Sequence, residues 1–143
     1  MTRYLVGYHF IPSKSLTSKI LMVLGRSRLT HVYISLSSDG EIIYYNCSWT
    51  VSTSWHTSST AVPYDSVYEE LDLDLGMVDL VLPADEPYHL WRAVMHFFTT
   101  RPRHTLTCVE AVHRLRFLAG KRTKGRTTGG LYRYLKERLS DQR

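Results

Sequence analysis

Apolar residues recur along this chain with two different periods, and the changes between them mark out its elements. Residues 3–10, RYLVGYHF, form an apolar and aromatic run that predicts a first strand, ended by Pro12, which has no N–H to give a ladder. SKSLTSKILMVLGRS (13–27) switches to helical spacing, with Ser13 or Ser15 as cap and Leu16, Ile20, Val23 and Leu24 on one face. Then HVYISL, SSDG and EIIYYN follow one another over residues 31–46. Two β-branched or alternating runs around a Gly-containing turn predict a β-hairpin, with His31 at the start of its first strand and Asn46 near the end of its second.

Residues 47–66 are dense in Ser and Thr and carry Trp49 and Trp55 without a clear period, so they read as a long loop or a further hairpin around TVSTSWH. MVDLVLP (77–83) predicts another strand, ended by Pro83, and EPYHLWRAVMHFF (86–98) a helix with Leu90, Val94, Phe97 and Phe98 turned inward. In HTLTCVEAVHRLRFLAG (104–120), Cys108, Val112, Leu115 and Ala119 fall on one stripe of a helix that Gly120 can stop. A basic turn, GKRTKGRTTGG, leads to a last helix, LYRYLKERL. Strands gathered early and helices late predict an α+β fold, an antiparallel sheet packed against helices. At 143 residues it is read as a single domain spanning 1–143.

Charge changes this picture in one respect. Residues 1–99 carry 6 Lys/Arg against 10 Asp/Glu, whereas 100–143 carry 12 against 3, and eight of the acids lie between Asp65 and Glu86. The acidic 65–86 and basic 100–143 segments are therefore candidate contacts for partner subunits. Nucleic acid is disfavoured as a partner, because only Tyr132 and Tyr134 lie among the basic residues as stacking aromatics. No apolar stretch reaches the roughly 18 residues of a membrane span, and no signal peptide is visible at the N-terminus. The expected location is the cytoplasm of the producing cell.

Only two cysteines occur, Cys47 and Cys108, in no metal-ligand spacing, and neither a cofactor nor a metal is expected. Cys108 is the chemically interesting one. At a helix start it meets unpaired N–H groups and the positive end of the helix dipole, both of which favour thiolate. A neighbouring imidazole can complete that activation, bringing a thiol from about 8.5 into roughly the 3.5–7.5 range. Of seven histidines, His31 is the best base, since it opens a strand of the sheet against which the Cys108 helix would pack. Strict alternation puts His31 on one face with Tyr33 and Ser35, so the site requires a bulge at His31 or a sheet covered on both sides. His113 lies five residues beyond Cys108, roughly 500° around the helix, and is turned away. His89 and His96 are one heptad apart, unsuited to a shared metal. Cys47 is read as structural. His56, Trp49 and Trp55 are candidates to line a groove.

The order of helix, THVYISL, hairpin, strand near 80, helix and TCVEAVHRL resembles the circularly permuted papain-like cysteine hydrolases, relatives of bacterial cell-wall cysteine peptidases and of lecithin–retinol acyltransferase. The resemblance covers about residues 28–120. It implies a permuted papain-like fold in which Cys108 is the nucleophile, His31 the base, and a polar residue on the next strand the group that orients the imidazole. That third position falls near Tyr44, with Asn46 two residues later on the same strand face. Asn46 is preferred for its acceptor oxygen, with Tyr44 the alternative. TTGGLYRYLKERL is also similar to the ends of small papain-like proteins carried by tailed bacteriophages. The implied activity is cleavage of an amide, with peptidoglycan stem peptides the leading substrate, by a protein acting from a phage particle or during infection. The alternative is a non-catalytic virion or assembly component that uses the same fold for docking.

Overall fold

In the computed structural model the described residues are 1–12, 29–46, 54–56, 62–82 and 108–140. They form strands β1 (Thr2–Pro12), β2 (Leu29–Ser38), β3 (Glu41–Asn46), β4 (Ser54–His56) and β5 (Asp65–Leu73), and helices α1 (Leu75–Val81), α2 (Cys108–Leu118) and α3 (Thr128–Ser140). The strands make one sheet in the order β4-β3-β2-β1-β5, and every neighbouring pair is antiparallel. The fold is thus α+β with an antiparallel sheet packed against helices. The expected helices at 13–27 and 86–98, and with them Cys47, Trp49, His89, His96 and His104, lie outside the described residues.

Alternation decides the faces. Tyr4, Val6, Tyr8 and Phe10 of β1, Val32, Ile34 and Leu36 of β2, Tyr45 of β3, and Val67, Leu71 and Leu73 of β5 are all buried in one cluster with Ala111, Val112 and Leu115 of α2 and Leu131, Leu135 and Leu139 of α3. The predicted hairpin forms as expected: Ser38 pairs with Glu41 across a two-residue loop, and Asp39 and Gly40 both have positive φ, 52° and 81°. That is the twist a tight hairpin needs, and Asp-Gly supplies it at low steric cost.

One expectation is corrected. MVDLVLP is not a strand: α1 covers most of it, with Asp74 as N-cap accepting from the Gly76 N–H at 2.9 Å. Its buried residues are Val78 and Leu82, four apart, while Leu80 is 73% exposed, so one helical stripe rather than one strand face is apolar. The strand of this region lies earlier, in DSVYEELDL, where Val67, Glu69, Leu71 and Leu73 alternate inward along β5. The short β4, Ser54–His56, pairs with β3 within the Ser/Thr-rich stretch.

Glu69 is a carboxylate on the apolar face, and the helices meet it there. Arg116 of α2 binds it in a two-pronged pair, Nε to Oε1 at 2.7 Å and Nη2 to Oε2 at 3.2 Å, with both side chains 5% exposed. The Tyr8 hydroxyl donates to the same carboxylate. Arg116 Nη1 also donates to the Arg122 carbonyl at 3.0 Å and to Thr123 Oγ1 at 2.9 Å, so α2, the sheet and the loop after α2 share one polar centre. The acidic segment is further engaged within the molecule: Asp65 accepts from Lys136 at 3.0 Å and from the Tyr132 hydroxyl, and Asp72 pairs with Arg3 at 3.2 Å.

Candidate active site

Cys108 opens α2, and the stripe read from the sequence is the one that packs: Val112 and Leu115 are fully buried, and Cys108 and Ala119 lie against the core. The Arg116–Glu69 pair, two turns further on, fixes the rotation of the helix and hence the direction of the thiol. The side opposite the core is held separately. His113 bonds to the Gly125 carbonyl at 2.8 Å, and it is turned away from Cys108 as its position on the helix requires.

β2 begins irregularly beside His31. Ile11 pairs with His31 but Pro12 pairs with Leu29, so Thr30 is an extra residue on β2. A bulge of this kind bends the strand and re-aims neighbouring side chains. With Thr30 looped out, Leu29 and Val32 both enter the core. His31, between them near the end of the sheet, stands beside the Cys108 thiol and lowers its pKa. The irregularity lies one residue before His31, at Thr30, and His31 itself keeps Ile11 as its partner.

Two further groups act on the ionisation of the same thiol, the backbone of Val32 and the hydroxyl of Thr128, the first residue of α3. Their effect on ionisation has a definite balance. Burial, the largest influence, pushes the Cys108 thiol up, but the hydrogen bond and charge of His31, then Val32 and Thr128, together bring it below its ordinary value. A partly buried thiol with a lowered pKa beside an imidazole can act as a nucleophile and can be returned to its thiol form by the same ring.

Asn46 ends β3, next to Tyr45, which pairs with Ile34 of β2, and is itself paired with Ser54 of β4; its side chain lies outside what the structure describes. Tyr44, opposite Ser35, belongs to an aromatic group: its ring is 6.1 Å from that of Tyr33 and 6.3 Å from that of His9. His9 is the centre of this group on the sheet face away from α2. It bonds Ser66 through Nδ1 and Ser35 through Nε2, both at 2.8 Å, and stacks on Tyr33 at 4.7 Å. Burial lowers its pKa to about 4, which keeps it neutral near pH 7. Its register partners place His9 apart from the Cys108 site, as β4 pairing places His56 opposite Tyr44.

Thr128 is the residue that sequence reading missed. The signal is the doubled threonine of RTTGG: Thr127 is occupied as the cap of α3, accepting from Gly130 N–H at 3.0 Å, which leaves its neighbour available for another role. GKRTKGRTTGG is thus the connection that returns α3 onto the start of α2. Comparison of the chain with known protein families, with curated proteins and with solved structures gives no match.

Proposed function

We propose that this chain is a cysteine hydrolase that cleaves amide bonds, with Cys108 as nucleophile, His31 as the proton carrier and Asn46 as the residue that orients the imidazole. The observation that carries the reading is that Cys108, opening a helix, has its pKa lowered by His31, which stands near the start of a strand far earlier in the chain. The Cys108 sulfur attacks the acyl carbon, forming a C–S bond while the carbonyl oxygen takes up negative charge. The backbone N–H of Cys108 is a donor for that oxyanion. As the tetrahedral species collapses, the C–N bond breaks and His31 gives its proton to the leaving amine. Water then attacks the thioester, His31 takes the water's proton, and Cys108 departs with the carboxylic acid released.

The chain order of His31, Asn46 and Cys108 supports a circularly permuted papain-like arrangement, and peptidoglycan stem peptides are the proposed substrate class. A protein with that activity belongs in a phage particle or in the infected cell, where a wall must be crossed or opened. No helix among the described residues is long and apolar enough to cross a membrane. The test is hydrolysis of purified peptidoglycan and its stem peptides. Wild-type protein and Cys47→Ser should release new amines, and Cys108→Ser should release none while keeping its melting temperature within a few degrees. Wild-type protein that releases nothing from any wall preparation, with Cys108→Ser functional in assembled particles, would replace this reading with that of a docking component.

A further inference from the structure

We propose that the groove between the end of α1, the outer side of α2 and the loop after it is a docking site for an acidic segment of another protein. Carboxylates of that segment meet Lys121 and Arg122, and an apolar side chain between them packs on Phe117. The groove has a volume of about 450 Å³, with Val81, Phe117, Lys121 and Arg122 among its walls. Phe117 lies two residues beyond the buried Leu115, roughly 200° around α2, and is 78% exposed. A single exposed ring on a convex surface needs no explanation, but this one lines a concavity rimmed by cations. His113 shares that wall and is turned away from Cys108, so the groove and the thiol occupy different sides of the helix.

The distribution of ion pairs shows what the groove lacks. Arg3 pairs with Glu70 and Asp72, Arg114 with Glu110, Arg116 with Glu69, and Lys136 with Asp65. Lys121, Arg122, Lys124 and Arg126 are exposed, and among the described residues none of them is in an ion pair. The acids of β5 and α2 are thus already engaged within the fold, and the charge that answers the loop comes from another molecule. The loop is also held in shape. Gly120, at φ +74°, ends α2, with its N–H bonded to the Phe117 carbonyl at 3.0 Å and that of Lys121 to the Arg116 carbonyl at 2.9 Å. Arg116 Nη1 and the Tyr134 hydroxyl both donate to the Arg122 carbonyl at 3.0 Å, and His113 donates to the Gly125 carbonyl at 2.8 Å. A backbone anchored in this way presents its cations with little left to order on binding.

The walls favour a peptide over other anions. Glu110, paired with Arg114, lines the same groove and opposes a continuous phosphate backbone, and one ring gives no platform for successive bases. A flat bilayer meets a convex apolar face better than a recessed one. The experiment is fluorescence anisotropy of a fluorescein-labelled peptide of repeated Glu-Asp-Leu titrated with the full chain at an ionic strength of about 0.1 M. The comparison probes are the same peptide with Ser for Leu, a single-stranded oligonucleotide, and phosphatidylcholine vesicles containing phosphatidylglycerol. The Leu-containing peptide should bind saturably and more tightly than the other three. Reversing both rim charges, Lys121→Glu with Arg122→Glu, should weaken it by about tenfold or more. Phe117→Ser should weaken it by about fivefold or more and leave the Ser-containing peptide unchanged. All three side chains are exposed; should the charge reversal nevertheless fail to fold, Lys121→Gln with Arg122→Gln carries the same expected direction. Absence of saturable binding, equal binding of the two peptides, or indifference to Phe117→Ser overturns the proposal. Tighter binding of the oligonucleotide or the vesicles also overturns it, in favour of nucleic acid or a lipid surface.

Discussion

Replacing Glu69 by glutamine keeps the shape of the side chain and deletes the charge that Arg116 was folded around. Both partners are 5% exposed, and the pair is bonded through two nitrogens, so solvent cannot replace the lost carboxylate. Breaking a buried pair by removing one partner costs about 3–5 kcal/mol. Arg116 keeps the Arg122 carbonyl and the Thr123 hydroxyl, and the glutamine oxygen can still accept one N–H, which points to the lower end, about 3 kcal/mol. For a domain of this length that corresponds to a fall in Tm of about 10 °C. The assay is urea unfolding followed by circular dichroism for Glu69→Gln, Arg116→Met and the double variant. Because the two residues act on each other, the double variant should be at least about 2 kcal/mol more stable than the sum of the single losses allows. Strictly additive losses, or a Glu69→Gln variant within about 0.5 kcal/mol of wild type, would refute the idea that this pair clamps α2 to the sheet.

His9 makes acid stability a test of the opposite sheet face. Its folded pKa of about 4 lies below the ordinary histidine value, so between about pH 6.5 and 4 the unfolded chain binds a proton that the native one does not, and stability falls as pH drops through that window. The loss is on the order of 3 kcal/mol, and His9→Gln should flatten this part of a plot of unfolding free energy against pH; an unchanged slope would remove His9 as its cause. Gly7 faces the same group, and a Cβ there would lie 2.4 Å from Ser35 Oγ and 2.7 Å from His9 Nε2. Gly7→Ala should cost about 1–3 kcal/mol in urea unfolding, and adding Ser35→Ala should recover part of it; a neutral Gly7→Ala would mean that this lattice yields freely.

The hairpin and the helix of Cys108 were legible because their signals are local: Asp39–Gly40 fits the turn, and Val112 and Leu115 fall at helical spacing from Cys108. The strand β5 was not, because Glu69 occupies an inward position and its compensating Arg116 is 47 residues away. Nothing local distinguishes a paired inward carboxylate from a solvated one, so the stretch read as an acidic surface. MVDLVLP failed for a different reason: a short apolar run fits either period, and the inward pair Val78 and Leu82 is selected only by what α1 packs against. At the site, His31 and Cys108 were named by residue type and order, and the sequence also posed the problem of alternation. It did not say where the extra residue lies, since a bulge at Thr30 depends on the pairing of β2 with β1. Thr128 was hidden by the same long-range logic, for its role exists only once α3 folds back onto α2.

The central claim is that His31 and Cys108 act as one unit, and the rate of Cys108 alkylation tests it most directly. At pH 6, with iodoacetamide and peptide mass spectrometry as the readout, Cys108 should be labelled much faster than Cys47, and His31→Ala should slow Cys108 by about tenfold or more through loss of the neighbouring positive charge. Equal and slow labelling of both cysteines, or a Cys108 rate untouched by His31→Ala, would contradict it.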